Sequence, residues 1–286
     1  MKSILENHIL SLKDKLAIDL SVFDPAFLER TIAARMASKS IKSADLYLSN
    51  LQENKEEQAE LARNLSNSYS EFFRNPLTFA YLEQIILPGL LEKRRISREK
   101  KIRIWSAACA SGQEAYSLSI LCDELTQNKP KETQCLIFAT DHNESELTKA
   151  QVGDYTSATL GKVSLNRIQT YFIQKEETYS VIPRLKEIIN FSVFDLLSGE
   201  GTCPPASIYG NFDLIFCSNL LFYYKPVYRN RILDKLGNSL ANGGYLITSE
   251  TEREIAKGNN YREVFANSAI FQKKAMGNGQ WAIDIG

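Results

Sequence analysis

Between Phe27 and Met36 the apolar positions Phe27, Ile32, Ala33 and Met36 recur at close to the three-to-four spacing of an amphipathic helix. The stretch SADLYLSNLQ, Ser43 to Gln52, sets a serine ahead of Leu46, Tyr47 and Leu51, the pattern of a capped helix start. A helical texture therefore runs from residue 10 to about 65, and a second helix, LTFAYLEQIILPGLLEK, is expected to end near Pro88-Gly89. Beyond residue 95 the pattern changes to short apolar runs alternating with helical ones. KIRIWSAA, QCLIFATD, YGNFDLIFCSN and YLITSET read as strands; EAYSLSILCDEL, ESELTKAQVG and KPVYRNRILDKLGNSLANGG read as helices, the last with a glycine cap. Strands separated by helices of this length specify an α/β domain with a mostly parallel sheet and helices on both faces. From Tyr171 to Phe191, TYFIQ, TYSVI and LKEIINFSVF are short and rich in aromatic and β-branched residues, the signature of a small antiparallel insertion at about 170–192 or of the rim of the parent sheet. The expected division is a helical domain over 1–95 and an α/β domain over 96–286.

Composition narrows the function. The chain of 286 residues carries 34 basic and 34 acidic side chains, so it lacks the net positive field of a general nucleic-acid binder. The run EKRRISREKKIR, Glu92 to Arg103, is a local basic patch that reads as a solvated connection or as a docking surface. No apolar run approaches 18 residues and no signal-peptide core follows Met1, which leads to the expectation of a cytoplasmic, soluble protein. Five cysteines without a CxxC pair and only two histidines, His8 and His142, argue against a metal site, and Cys109 and Cys217 end apolar runs as small core thiols would.

Ligands of an open α/β sheet collect at the carboxyl ends of its strands. The first such end is RIWSAACASGQEAYSLSI, Arg103 to Ile120, in which the residues from Ala108 to Gly112 are small enough for a ligand to approach the backbone at a helix N-terminus, or for the turn simply to pack tightly. Glu114 follows it, placed to accept from a cationic ligand or to favour the helix start. Asp141 ends the next strand, where a carboxylate can take both hydroxyls of a ribose or cap the following helix. Asp195 and Leu196 in FSVFDLL are positioned to flank an adenine ring, and Asn219 ends FDLIFCSN, with Leu220 and the aromatic Tyr223 just after it, the last a packing or a chemical residue. Two histidines, no glycosidase-like carboxylate pair and no GxxxxGK loop supply hydrolysis and phosphoryl transfer poorly. Methyl transfer from a sulfonium to a carboxylate needs chiefly alignment, since the acceptor is already ionised at neutral pH.

With these residues in place the chain resembles the CheR family of chemotaxis receptor methyltransferases. The stretches NSYSEFFRNPLTF, RIWSAACASGQEAYSLSI, FATDHNESELTKAQVGDY, YFIQKEETYSVIPRLKEIINFSVFDLL, FDLIFCSNLLFYY and LANGGYLITSE occur in the family's order from about residue 25 to the end. The resemblance implies a class I, Rossmann-like methyltransferase sheet with an N-terminal all-helical domain and a small antiparallel β insertion. It implies S-adenosylmethionine as cofactor, S-adenosylhomocysteine as product, and glutamate side chains on the cytoplasmic helical domains of membrane chemoreceptors as acceptors. It further implies a monomer without membrane insertion or nucleic-acid partner, in which Ser68, Ser70 and Arg74 reach the cofactor pocket from the helical domain. Arg74 and Glu114 would face the methionine portion, Ala108 the loop side, Asp141 the ribose, Asp195 and Leu196 the adenine. Asn219 and Leu220 would hold the strand end, with Tyr223 near the methyl group. The chain departs from the family pattern Gly-Cys-x-Thr-Gly-Glu-Glu-Pro-Tyr at Ala108, Ser111, Gln113 and Ala115, has Ser70 for a threonine, and has Ser218 for an arginine. The alanine for glycine at 108 is accommodated if that backbone position has φ below zero. The exchange at 218 removes a five-donor fork near the acceptor side, so a divergent module that binds the cofactor with little turnover, or a non-receptor substrate, is the alternative.

Overall fold

The computed structural model describes residues 19–273, apart from 67–68, 98–99, 127–133, 200, 208 and 259–260. The described region opens with a 3-10 turn (Leu20–Val22) and three α-helices. Asp24 caps α1 (Pro25–Ser38) through the amides of Ala26 and Phe27, Ser43 caps α2 (Ala44–Glu53), and Asn54 caps α3 (Lys55–Leu65), so each start is set by a side-chain acceptor. Their apolar faces close on a core of their own, with Phe27, Ile32, Leu48, Leu51 and Leu61 at its centre. Inside it lies one carboxylate, Glu57, bound by both prongs of Arg35 at 2.9 and 2.7 Å and by the Tyr47 hydroxyl at 2.8 Å. The Arg35 bonds hold the Glu57 carboxyl below its ordinary range, so α1, α2 and α3 are joined by a charge that is paired rather than merely buried.

The next helix does not stop at Pro88-Gly89. It runs as α4 (Pro76–Tyr81), a π-helical turn (Leu82–Ile86) and α5 (Leu87–Arg95). Pro88 falls in the first turn of α5, just past the π turn, where a missing N–H is cheap. Phe79, Leu82, Ile86, Leu87 and Leu90 pack into the core of the sheet rather than into that of α1–α3. The hydrophobic cores thus divide the chain before residue 72, not at 95. The basic run is also more structural than its charge suggests: Arg94 pairs with the buried Asp213 at 2.6 Å, and Arg103 lies over the rings of Phe138 and Phe212 and donates to Ser207.

Ten strands follow among the described residues: β1 (Lys101–Ala107), β2 (Gln134–Asp141), β3 (Asp154–Thr156), β4 (Phe172–Gln174), β5 (Thr178–Val181), β6 (Ile189–Val193), β7 (Phe212–Phe216), β8 (Leu240–Ile247), β9 (Tyr261–Glu263) and β10 (Ile270–Lys273). Seven form one mixed sheet in the order β6-β2-β1-β7-β8-β10-β9, parallel from β6 to β8 and antiparallel at β10 and β9. The central strands are continuous apolar runs because helices cover both faces: α6 (Gln113–Thr126) and α7 (Glu144–Val152) contribute to one core, α10 (Pro226–Ser239) and α11 (Arg253–Lys257) to the other, with α8 (Leu165–Tyr171) and α9 (Pro183–Lys186) flanking the small sheet. That small sheet, β3-β5-β4, is antiparallel as expected but starts earlier, at Asp154. LKEIINFSVF is not part of it. Its residues 189–193 are the parallel edge strand β6, whose shortness and aromatic Phe191, packed on Tyr116, mimic an insertion in the sequence. The helix α10 ends at Ser239 without the expected glycine cap, because Leu240–Gly244 already belong to β8. No described helix is long and apolar enough to cross a membrane.

Candidate active site

The carboxyl ends of β1, β2 and β7 meet beneath the segment joining α3 to α4, and a cleft with a cavity volume of about 70 Å³ opens between them. Of the residues singled out in the sequence, Ser70, Arg74, Ala108, Glu114, Asp141, Asn219, Leu220 and Tyr223 all line it. Asp195 and Leu196 do not: Leu196 is buried in the second core, and Asp195 accepts from the Leu197 amide at 2.8 Å on the exposed side of the turn after β6. They stay close, since Phe194 N donates to the Asp141 carbonyl and the Asp195 charge helps raise the Tyr224 hydroxyl, a wall of the cleft, in addition to its burial. Ser68 lies outside the described residues.

After β1 the backbone alternates into left-handed conformations, with φ of +61° at Ala108, +48° at Ala110 and +92° at Gly112. The condition that would accommodate the alanine at 108, φ below zero, is not met. An L-residue held there is strained, and what holds it is a ring of hydrogen bonds with β2 and β3. Cys109 N donates to the Thr140 carbonyl at 2.9 Å, Ala110 N to Asp141 Oδ2 at 2.9 Å, and Tyr155 Oη to the Ser111 carbonyl at 2.6 Å. Gly112 is demanded by packing: a Cβ there would come within 2.8 Å of the Ala150 Cβ. The glycine thus packs tightly, and the two alanines line the cleft wall.

Asp141 is 6% exposed. Its second oxygen accepts from Asn143 N at 2.9 Å, while the cap of α7 is Asn143 itself, so Asp141 braces the turn and is not the helix cap. Glu114 receives the Ser106 hydroxyl at 2.6 Å. Burial pushes its carboxyl up to about 8, with a further rise from Glu252, against the lowering by Ser106 and by the Arg74 charge. An acid that is neutral in the free protein and gains from a nearby cation is suited to an ammonium or sulfonium ligand. Arg74 lies across the cleft, 5.3 Å from the Tyr69 ring centroid and donating to the Tyr69 carbonyl at 3.1 Å. It is flanked by Phe73 and Asn75, both at positive φ; Phe73 N is fixed on Ser117 Oγ and Asn75 Nδ2 donates to Ser218 Oγ. Tyr223 sits in a 3-10 turn with its ring 4.6 Å from that of Phe27 on α1, so it is both packing and cleft wall.

The donor set fits a ligand with an amino-acid end and a ribose: a guanidinium for a carboxylate, a carboxyl for an ammonium, a strand-end acid for a diol, and small residues where backbone must come close. This region, residues 68–270, matches the family described as CheR methyltransferase, SAM binding domain. The chain belongs to the CheR methyltransferase family. A chemotaxis protein methyltransferase of Listeria monocytogenes is 30% identical over 241 residues, 84% of this chain and 86% of that one. Chemotaxis protein methyltransferase 1 of Pseudomonas aeruginosa is 32% identical over 206 residues, 71% of this chain and 72% of that one. An uncharacterised 104.1 kDa protein of Rhodobacter capsulatus is 26% identical over 265 residues, 93% of this chain but 27% of that one. Membership makes the chain an S-adenosylmethionine-dependent methyltransferase with an α/β methyltransferase-like fold. Sequence reasoning missed Ser106, Tyr69, Asn75 and Glu252; of these only Glu252 carried a signal, the Ser-x-x-Glu capping pattern from Ser249.

Because left-handed backbone costs an L-residue about 1–2 kcal/mol and glycine returns about 0.4–1 of that in the unfolded chain, Ala108→Gly stabilises the free protein by up to about 1 kcal/mol. Urea unfolding measures it; a loss of stability contradicts the strained conformation at 108.

Proposed function

We propose that the chain transfers the methyl group of S-adenosylmethionine to glutamate carboxylates on the cytoplasmic helical domains of membrane chemoreceptors, giving γ-methyl esters and S-adenosylhomocysteine. The observation that carries this reading is the convergence of Arg74, Glu114, Asp141 and Asn219 on one cleft with Tyr223 at its mouth. In this reading Arg74 takes the ligand carboxylate, with Ser70 beside it. Glu114 takes the ammonium, and the lone pairs that Asp141 has left take the ribose hydroxyls. Leu220 and Asn219 hold the strand-end side, and the adenine extends past Tyr224 toward Asp195 and Leu196. The strand order β6-β2-β1-β7-β8-β10-β9 supports a class I, Rossmann-like sheet, and the separate core of α1–α3 supports a helical domain joined to it.

Bound in the cleft, the cofactor supplies an electrophilic methyl whose bond pair returns to sulfur as a carboxylate oxygen attacks. The protein then has to place an acceptor that is already ionised, keep water out, and provide no base. A groove lined by Phe27, Arg30, Thr31, Arg63, Phe222 and Tyr223 reaches the cleft through Tyr223. Its two guanidinium groups and apolar floor suit an acidic, helical protein surface better than a small molecule, and the chemotaxis names of the relatives point the same way.

Incubation with methyl-labelled S-adenosylmethionine and receptor cytoplasmic fragments should yield protein-bound label that mild alkali releases as methanol, as only a carboxyl ester does. Alkali-resistant label, or firm cofactor binding with no label on any receptor fragment, contradicts the receptor-glutamate reading.

Glu114 gives a second expectation. In the free protein its carboxyl holds a proton up to about pH 8. A bound ammonium lowers that value, so binding releases the proton and S-adenosylhomocysteine affinity rises as pH is raised toward 8, then levels. Titration calorimetry in buffers of different ionisation enthalpy should show this release at neutral pH in the wild type and not in Glu114→Gln. An identical proton balance for the two proteins removes Glu114 from the ligand.

A further inference from the structure

Glu252 is fully buried, lies outside every motif that marks the cleft, and accepts four hydrogen bonds. Two come from its own turn: Ser249 N at 3.0 Å and Ser249 Oγ at 2.7 Å, both to Oε2, within a capping box. The other two cross to a different strand end, from Asn219 N to Oε2 at 2.8 Å and from Leu221 N to Oε1 at 2.6 Å. The capping box requires only the Ser249 N bond, together with the Glu252 N–H that Ser249 Oγ accepts. The second pair grips the residues on either side of Leu220, in a loop where Asn219 is held at φ +62° and from which the 3-10 turn carrying Tyr223 departs. Four donors on two oxygens match an acceptor-only carboxylate, and within hydrogen-bond reach of that loop no other described side chain accepts from either amide.

We infer that Glu252 is a positioning residue for methyl transfer: by binding the Asn219 and Leu221 amides it fixes the strained β7 end that presents Asn219 and Leu220 to the cofactor and Tyr223 to the acceptor. The inference rests on the cofactor reading of the cleft. An amide in place of the carboxylate turns one acceptor into a donor facing a backbone N–H, which frees the loop without removing volume. Ser249→Ala, in contrast, weakens the cap and leaves both cross-strand bonds intact.

The test compares S-adenosylhomocysteine affinity and melting temperature in the wild type, Glu252→Gln and Ser249→Ala. Glu252→Gln should lose roughly tenfold or more in affinity at a temperature where it is fully folded, whereas Ser249→Ala loses melting temperature and keeps wild-type affinity. Equal affinity in all three overturns the inference while leaving the cofactor reading intact; a wild type that does not bind overturns both. Amide hydrogen exchange in the wild-type protein gives an independent check should Glu252→Gln not fold. The Asn219 and Leu221 amides should exchange as slowly as those of β7, and exchange at the rate of an open loop overturns the assignment.

Discussion

The Asp141 carboxylate spans two chain turns, taking Ala110 N on one oxygen and Asn143 N on the other, and the geometry of the cleft depends on that brace. Without it the left-handed run from Ala108 to Gly112 keeps only the Cys109–Thr140 and Tyr155–Ser111 bonds against the strain at its two alanines. Five of the nine non-glycine residues described at positive φ, Phe73, Asn75, Ala108, Ala110 and Asn219, belong to the segments that form the cleft. Strain collects where surrounding bonds over-determine the backbone, and here it collects at the ligand face of the sheet. In the proposed reading Asp141 takes the ligand with the lone pairs left after bracing the loop, so its replacement would disturb both.

Arg74 reaches that face from outside the sheet, and the structure shows how the connection is held. Phe73 is tied to Ser117 on α6, Asn75 to Ser218 at the end of β7, and Glu71 to Lys162 at 2.5 Å near the small sheet. The helical region is anchored a second time by Asp24 and Lys225, whose amides bond the carbonyls of Tyr223 and Val22, and by the Arg229–Asp24 pair at 3.1 Å. Tyr223 thus stands between the core of α1–α3 and the cleft. A shift of α1 would be felt at the same side chain that borders the groove.

Much of this was legible in the chain. Apolar runs and their helical separators specify the parallel strands because buried strands and amphipathic helices have different periods. The strand ends then point to Ala108, Glu114, Asp141 and Asn219 without further information, since an α/β sheet exposes its ligand face there. What was not legible depends on tertiary context. A short edge strand such as β6 looks like part of an insertion, the proline at 88 looks like a helix stop until a π turn precedes it, and the sign of φ at Ala108 is set by Asp141 and Thr140, some 30 residues away. Glu252 announces itself as a cap, but its reach to β7 is a property of the folded sheet alone. Asp195 and Leu196 are near the cleft in sequence logic and outside its lining in space.

The central claim is that the segment between the helical region and the sheet supplies part of the cofactor site, with Arg74 as its charged contact. Titration of S-adenosylhomocysteine into wild type and Arg74→Ala, alongside thermal unfolding of both, tests it most directly. One site per chain in the wild type, with a loss of roughly ten- to a hundredfold in Arg74→Ala and little change in melting temperature, is the predicted result for a charge-assisted contact to ligand. Unchanged affinity together with a large fall in melting temperature would contradict it, and would make Arg74 a structural strut instead.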